Sequence, residues 1–281
     1  MPELPEVETL RLQLNPILKG QVISKLEILN KKTFHGDPKL IINRKITGIS
    51  RFAKVLVFET KDVAIAIHLK MSGRLIYRGK KQPKNLKIDD IELKKLPNSH
   101  TRVTFHFKSG DILYFTDQRK FGWIKLLDRV KREALKEKLG IEPFSKNFNV
   151  ENLYKITSKI NRPIKVVLMD QSLISGIGNI YANDGLFCAK IHPKTKAKDL
   201  DKKQIQKLHE CLLMVLKNGI KYKGASENLF RDAFGQKGEL QNYFYVYARE
   251  GKPCKVCRTP IVKFRLGGRG TFFCPKCQKS Q

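Results

Sequence analysis

The sequence predicts a multidomain α+β chain: an N-terminal helix, antiparallel strands closed into a sandwich or barrel, a helical middle and a C-terminal hairpin bearing cysteines. Three observations carry this prediction. Residues 22–127 are dominated by short apolar, β-branched runs, the apolar spacing becomes helical from residue 129, and two Cys-x-x-Cys pairs lie near the C-terminus.

Taken in order, Val7, Leu10 and Leu14 recur at helical spacing behind Pro2 and Pro5, two prolines tolerated before or within a first helical turn. The runs Lys54-Val55-Leu56-Val57-Phe58, Val63-Ala64-Ile65-Ala66-Ile67 and Val103-Thr104-Phe105-His106-Phe107 then read as strands, punctuated by Gly73, Gly110 and Gly122. Many short strands cover their edges by folding into a sandwich or barrel. Residues 78–98 interrupt them with a polar, Lys-rich stretch expected to be a surface loop. Helices are expected over 129–139, 150–158, 165–171, 180–189 and 202–218. Residues 224–238, rich in Gly and polar side chains, are expected to be mobile.

Charge restricts the partners. The chain has 56 Lys and Arg against 26 Asp and Glu, a net charge of +30 over 281 residues. An excess of this size attracts dense polyanions, of which nucleic acid is the foremost; a solvated lysine-rich surface is the bland alternative. Residues 249–281 hold nine Lys or Arg and one acid, more than twice the average charge density, and read as a phosphate-facing module. With 41% hydrophobic and 9% aromatic residues, general disorder is excluded. No window approaches the ~18 apolar residues of a membrane span. Met1-Pro2-Glu3 lacks the basic and apolar opening of a secretory signal. The expectation is therefore a cytoplasmic protein with no membrane partner, whose six cysteines are reduced.

Cys254-x2-Cys257 and Cys274-x2-Cys277 are 16 residues apart, within the spacing of four-thiolate zinc sites. The intervening residues read as a hairpin with Gly267-Gly268-Arg269-Gly270 at its tip. Four thiolates make a closed site, so one structural zinc is expected. A disulfide pair or redox motif is the alternative, disfavoured by the missing secretory signal and by the absence of a thioredoxin-like βαβ pattern. Cys188 and Cys211 lie in helical stretches and are expected to be buried thiols.

Pro2 is a chemical signal as well. Its secondary amine, freed by removal of Met1, has an α-amino pKa of about 8 and so keeps a neutral fraction near pH 7. Such an amine can form a covalent iminium with a sugar carbon. Pro2-Glu3-Leu4-Pro5-Glu6-Val7-Glu8-Thr9 resembles the N-terminal signature of the formamidopyrimidine-DNA glycosylases, bacterial enzymes that excise oxidised purines and then cut the strand. His68-Leu69-Lys70-Met71-Ser72-Gly73, Asp117-Gln118-Arg119-Lys120-Phe121-Gly122, Ser175-Gly176-Ile177-Gly178-Asn179-Ile180-Tyr181-Ala182-Asn183 and the four-cysteine finger follow in family order, so the resemblance spans the chain.

The resemblance implies a β-sandwich with an N-terminal helix, a helix-two-turns-helix domain and a zinc finger. The expected divisions are 1–128 for the catalytic sandwich, 129–224 for the helical DNA-binding domain, and 225–281 for a recognition segment plus finger. It implies Pro2 as nucleophile, Glu3 as acid and base, and Lys54 as a phosphate-contacting lysine that assists catalysis; Glu6 is a weaker candidate for relaying protons. It implies that His68, Asn179 and Arg269 bind phosphate and that Met71, Arg119 and Phe121 fill the void left by an everted nucleotide. The implied partner is double-stranded DNA with oxidised bases or abasic sites, bound by a monomer. Two rivals remain: an endonuclease-VIII-like glycosylase for oxidised pyrimidines, and a zinc-dependent DNA-binding protein without catalysis. Asp184 stands where the family usually has Glu, and Ser72 and the segment 225–245, where the base-recognition loop should lie, are too variable to carry over residue by residue.

Overall fold

The computed structural model describes residues 1–86, 88–226 and 229–279. They form two compact units, one of residues 1–137 with 220–241, the other of 138–219 with 242–281. This division differs from the expected one. Residues 225–241, assigned from sequence to the finger's domain, belong to the first unit.

The first unit begins with α1 (Leu4–Leu18). Glu6 turns back to accept a hydrogen bond from the Glu3 backbone N–H at 2.8 Å, satisfying one of the donors that a helix start leaves open. The strands that follow are β1 (Ile23–Ile28), β2 (Phe34–His35), β3 (Gly48–Phe52), β4 (Val55–Glu59), β5 (Ala64–His68) and β6 (Gly73–Arg78). After α2 (Ile91–Lys94) come β7 (Thr101–Phe107), β8 (Ile112–Asp117) and β9 (Trp123–Leu127), then α3 (Arg129–Glu137). One sheet has the order β1-β7-β8-β6 and the other β2-β9-β5-β4-β3; only the short β2–β9 pair is parallel. Leu10 and Leu14 of α1 join Leu56, Phe58, Ile65, Ile67, Phe105 and Phe115 in the main core. Val55, Val57, Ala64 and Ala66, on the opposite face of β4 and β5, pack with Leu127 and Leu135. Burial on both faces explains why these strands read as continuous apolar runs.

Two loop expectations are corrected. Residues 78–98 are more than a surface excursion: α2 lies within them, Leu93 is fully buried, and the Leu93 carbonyl accepts a hydrogen bond from Arg78. The described part of 224–238 is anchored. Asp232 Oδ1 accepts the backbone N–H groups of Phe234 and Gln236, Gln13 Oε1 accepts that of Ala233, and the Ala233 carbonyl accepts that of Tyr77. Polar side chains here hold the backbone rather than solvate it. Residues 227 and 228 of the recognition segment lie outside the described residues.

The second unit contains α4 (Val150–Thr157), α5 (Ile164–Met169), α6 (Asn179–Cys188) and the greater part of α7 (Lys202–Lys221). A turn over residues 171–173 and a bend at Gly176 lie between α5 and α6. Its C-terminal hairpin pairs β10 (Val262–Leu266) with β11 (Arg269–Phe273), and the connecting Gly267 and Gly268 both have positive φ, the conformation two-residue hairpins favour. Cys188 and Cys211 form a disulfide between α6 and α7, correcting the expectation of six reduced thiols. Helical spacing placed both residues in helices but could not show that their faces meet. Among the described residues, no helix is long and apolar enough to cross a membrane.

Candidate active site and nucleic-acid interface

In the first unit, the candidate chemistry gathers at one end of the sandwich, and the register shows why. Asn15 Oδ1 accepts the Ile49 N–H at 2.8 Å, and seven residues earlier Glu8 accepts from Arg51 Nε at 2.8 Å. Moving towards the start of α1 therefore moves along β3 towards its hairpin turn. Residues 2 and 3 directly precede α1, with Glu3 as its extended N-cap. Pro2, Glu3, Glu6 and Lys54 are all buried. Arg51 also donates to the Ala53 carbonyl at 2.9 Å, so one guanidinium ties the turn to Glu8. Burial alone would raise the Glu8 carboxyl, but the Arg11 and Arg51 guanidiniums hold it below the usual carboxylate range. Both Glu6 oxygens serve backbone donors: Oε2 accepts from Glu3 and Oε1 from Ala225 at 2.9 Å. Gly224 is required beside it, since its φ is +80° and a Cβ would lie 2.8 Å from Glu6 Cγ.

His68 ends β5, paired with Val55 on one side and Trp123 on the other. Burial first, then the charges of Lys70 and Lys54, lowers its pKa to about 3. The imidazole is therefore neutral near pH 7. Nδ1 accepts the Lys70 N–H at 2.9 Å, which leaves the proton on Nε2 as a donor suited to a phosphate oxygen.

At the same end, Gly73 pairs with Asp117, bringing the turn with Met71 beside the turn with Arg119 and Phe121. Met71 is half-buried, while Arg119 is exposed and stacks its guanidinium 4.9 Å from the exposed Phe121 ring. Asp117 is fully buried. It accepts the Ser72 hydroxyl hydrogen bond and the backbone N–H groups of Arg119 and Gly122.

In the second unit, Asn179 begins α6 behind Gly178. Its Nδ2 donates to the Gly270 carbonyl at 3.0 Å, next to exposed Arg269. Lys165 is completely buried and donates to the Gly270 carbonyl at 3.0 Å and to Thr271 Oγ1 at 2.7 Å. Asn183 Oδ1 accepts the Phe272 N–H. These side chains fix β11 on α5 and α6. Asp184 accepts three successive backbone N–H groups, from Tyr245, Val246 and Tyr247, each at 3.0 Å. Burial nevertheless raises its pKa. Lys165, Asp117 and the Arg51–Glu8 pair were not found from sequence; a lone lysine inside the apolar run 164–169 was the visible signal for the first.

The sulfurs of Cys254, Cys257, Cys274 and Cys277 all lie within 4.8 Å of one another, against roughly 3.8 Å for thiolates at 2.3 Å on a tetrahedral zinc. Cys257 is lowered to about 6, chiefly by its hydrogen bond with the Thr259 hydroxyl, whereas Cys277 is raised to about 12 by burial and its neighbouring sulfurs. A divalent cation relieves that conflict, and the four residues fit one structural zinc with no open position.

A sandwich with a buried helix start and a buried turn lysine, in a chain that also bears a helix-two-turns-helix pair and a four-thiolate finger, defines a class of DNA-processing enzyme with a structural zinc. Three family models match in succession: the formamidopyrimidine-DNA glycosylase N-terminal domain over residues 1–124, the formamidopyrimidine-DNA glycosylase H2TH domain over 139–231, and a zinc finger found in FPG and IleRS over 251–279. The formamidopyrimidine-DNA glycosylase of Streptococcus thermophilus is 36% identical, with 99% of this chain and 100% of that protein covered. A solved complex of Lactococcus lactis Fpg with abasic-site DNA has a TM-score of 0.86 at 33% identity, covering 99% of this chain and 100% of that one. Another, of the same protein with DNA containing an oxidised pyrimidine, has a TM-score of 0.85 at 33% identity and the same coverage. The chain belongs to the formamidopyrimidine-DNA glycosylase family.

Proposed function

We propose that the chain is a bifunctional DNA glycosylase and abasic-site lyase that removes oxidised purines from double-stranded DNA. The observation that carries this reading is the burial of Pro2, Glu3 and Lys54, two ionisable groups and a secondary amine withdrawn from solvent in the same unit. After Met1 is removed, the Pro2 nitrogen attacks C1′ and the bond to the damaged base breaks, the base leaving with its electron pair and a proton. Glu3 protonates the sugar ring oxygen as the ring opens, giving an iminium between Pro2 and C1′. That iminium draws electrons from the C1′–C2′ bond region, so loss of a C2′ proton expels the 3′ phosphate; a second elimination expels the 5′ phosphate. Lys54 holds the phosphate beside the lesion and assists these steps. Glu6, with both oxygens engaged by backbone N–H groups, positions the helix start rather than relaying protons.

His68, Asn179 and Arg269 bind backbone phosphates. Met71, Arg119 and Phe121 enter the stack where the nucleotide leaves, which otherwise costs a few kcal/mol. Arg119 supplies donors that suit cytosine O2 and N3. The protein acts as a monomer in the bacterial cytoplasm, associated with the nucleoid through DNA. Oxidised pyrimidines form the second substrate class, favoured by the Lactococcus lactis complex that holds one.

Borohydride reduction on duplexes containing 8-oxoguanine tests the reading. A covalent complex whose DNA-bound peptide begins at Pro2 supports it. Binding without trapping leaves a non-catalytic DNA-binding protein, and trapping confined to oxidised pyrimidines leaves the endonuclease-VIII-like activity.

A further inference from the structure

We propose that Asp117 and Ser72 join the two void-filling turns into a single mechanical unit, so that Met71 from one turn and Arg119 with Phe121 from the other enter the duplex together. This inference rests on the void-filling roles given above and adds the positioning residues that couple them.

The connection is continuous. Asp117 ends β8 directly opposite Gly73, the first residue of β6. Its Oδ2 accepts the Gly122 N–H at 2.6 Å, and its Oδ1 accepts the Arg119 N–H at 3.1 Å. Those two bonds bracket the turn that carries Arg119 and Phe121. The same Oδ1 accepts the hydroxyl of Ser72, the residue after Met71, and the Ser72 oxygen in turn accepts the Arg119 N–H at 2.9 Å. Ser72 is therefore the sole residue in this set that reaches from the Met71 turn into the Arg119 turn.

The backbone around the clamp leaves little room for slippage. A Cβ at Gly73 would lie 2.5 Å from the Leu69 carbonyl oxygen, and one at Gly122 would lie 2.7 Å from Phe115 Cζ. Lys70 and Lys120, one in each turn, both hold positive φ, a conformation that lysine adopts only when its surroundings impose it. The Asp117 backbone is itself fixed, its N–H donating to the His100 carbonyl and its own carbonyl accepting from Arg102 Nε at 2.8 Å. A buried carboxylate is a costly way to finish a turn. Spanning two turns whose outward side chains are exposed or half-buried gives it a purpose that a single turn does not require.

The test is a double-mutant cycle read on excision of 8-oxoguanine under single turnover. In the otherwise unchanged protein, Met71→Ala and Phe121→Ala each slow excision, and their combined effect departs from the product of the two by about 5- to 100-fold. In a Ser72→Ala background, which cuts the link while leaving both bonds from Asp117 to the second turn, the combined effect equals the product within about 2-fold. Ser72→Thr, which restores the hydroxyl, restores the coupling. Ser72→Ala also narrows the preference for cytosine over adenine opposite the lesion, while borohydride trapping on a preformed abasic site stays within about 3-fold, a separation that general destabilisation would not give. Asp117→Asn has the same effects and also weakens the Gly122 contact; if it does not fold, Ser72→Ala decides alone. Coupling that survives Ser72→Ala, or that is absent at the outset although both alanine variants slow excision, overturns the proposal and spares the void-filling roles. If neither Met71→Ala nor Phe121→Ala slows excision, the void-filling roles fail and this inference fails with them.

Discussion

The finger and the N-terminal active end both hold polar groups in place, but by opposite means. In the finger, four ligands arrive as two pairs from adjacent turns, and one ion organises them. At the active end the order comes from hydrogen bonds between groups far apart in sequence: Glu6 accepts the Ala225 N–H, Arg51 donates to Glu8, and Asp117 accepts the Ser72 hydroxyl. The finger's order therefore depends on a solution component that can be withdrawn, whereas that of the active end depends on folding of the surrounding sandwich. The finger should accordingly govern binding, and the active end should govern chemistry.

The largest expected effect is on the chemical side. Glu3→Gln should slow single-turnover excision by about 10²- to 10⁴-fold while leaving DNA affinity within about 2-fold; a parallel loss of affinity would break the division. Removing zinc, by chelation or by Cys257→Ser, should lower DNA affinity by on the order of 10- to 100-fold through loss of phosphate contacts. Trapping on abasic DNA at saturating protein should persist. Metal analysis that finds no zinc in protein with full affinity would remove the finger from the comparison. Arg269→Ala should be milder, reducing the slope of log K against log salt by about 0.9 with excision at saturation unchanged.

The smallest effect sharpens the active end. Because His68 is lowered to about 3 in the folded chain against about 6.5 unfolded, the unfolded state binds the proton first as pH falls. The stability contributed by neutral His68 is fully present above about pH 6.5 and is lost progressively towards pH 3. Wild-type protein should thus lose stability relative to His68→Gln across that window, measured by denaturant unfolding at successive pH values. Parallel curves would show that His68 is not held neutral.

The same contrast explains what was legible in the sequence. Cys-x-x-Cys spacing is local chemistry, so the finger and its hairpin could be read directly. Continuous apolar runs showed strands, and helical spacing placed α1, α4, α6 and α7 closely. Pro2 and Glu3, by contrast, gained meaning from the company of other motifs, since alone they resemble an ordinary helix start. The supporting residues were hidden because their partners are remote: Ser72 and Asp117 are 45 residues apart, and Lys165 and Thr271 are 106 apart. Composition also misled at 224–238, where glycine and polar residues suit an anchored segment as well as a mobile one. The Cys188–Cys211 disulfide depends on how two helices face each other, which periodicity within either helix does not specify.

The Glu6 contact also bears on how the protein is made. Glu6 and Ala225 are separated by 219 residues, so at roughly 5 to 20 residues per second the two ends of that bond leave the ribosome about 11 to 44 s apart. In the later part of that interval the sandwich strands, all encoded before residue 128, are available to fold while Glu6 still lacks its Ala225 donor. A nascent chain can therefore assemble the sandwich before the Ala225 donor closes onto Glu6 at the helix start. Completion of the catalytic end is thereby deferred to the final fifth of translation.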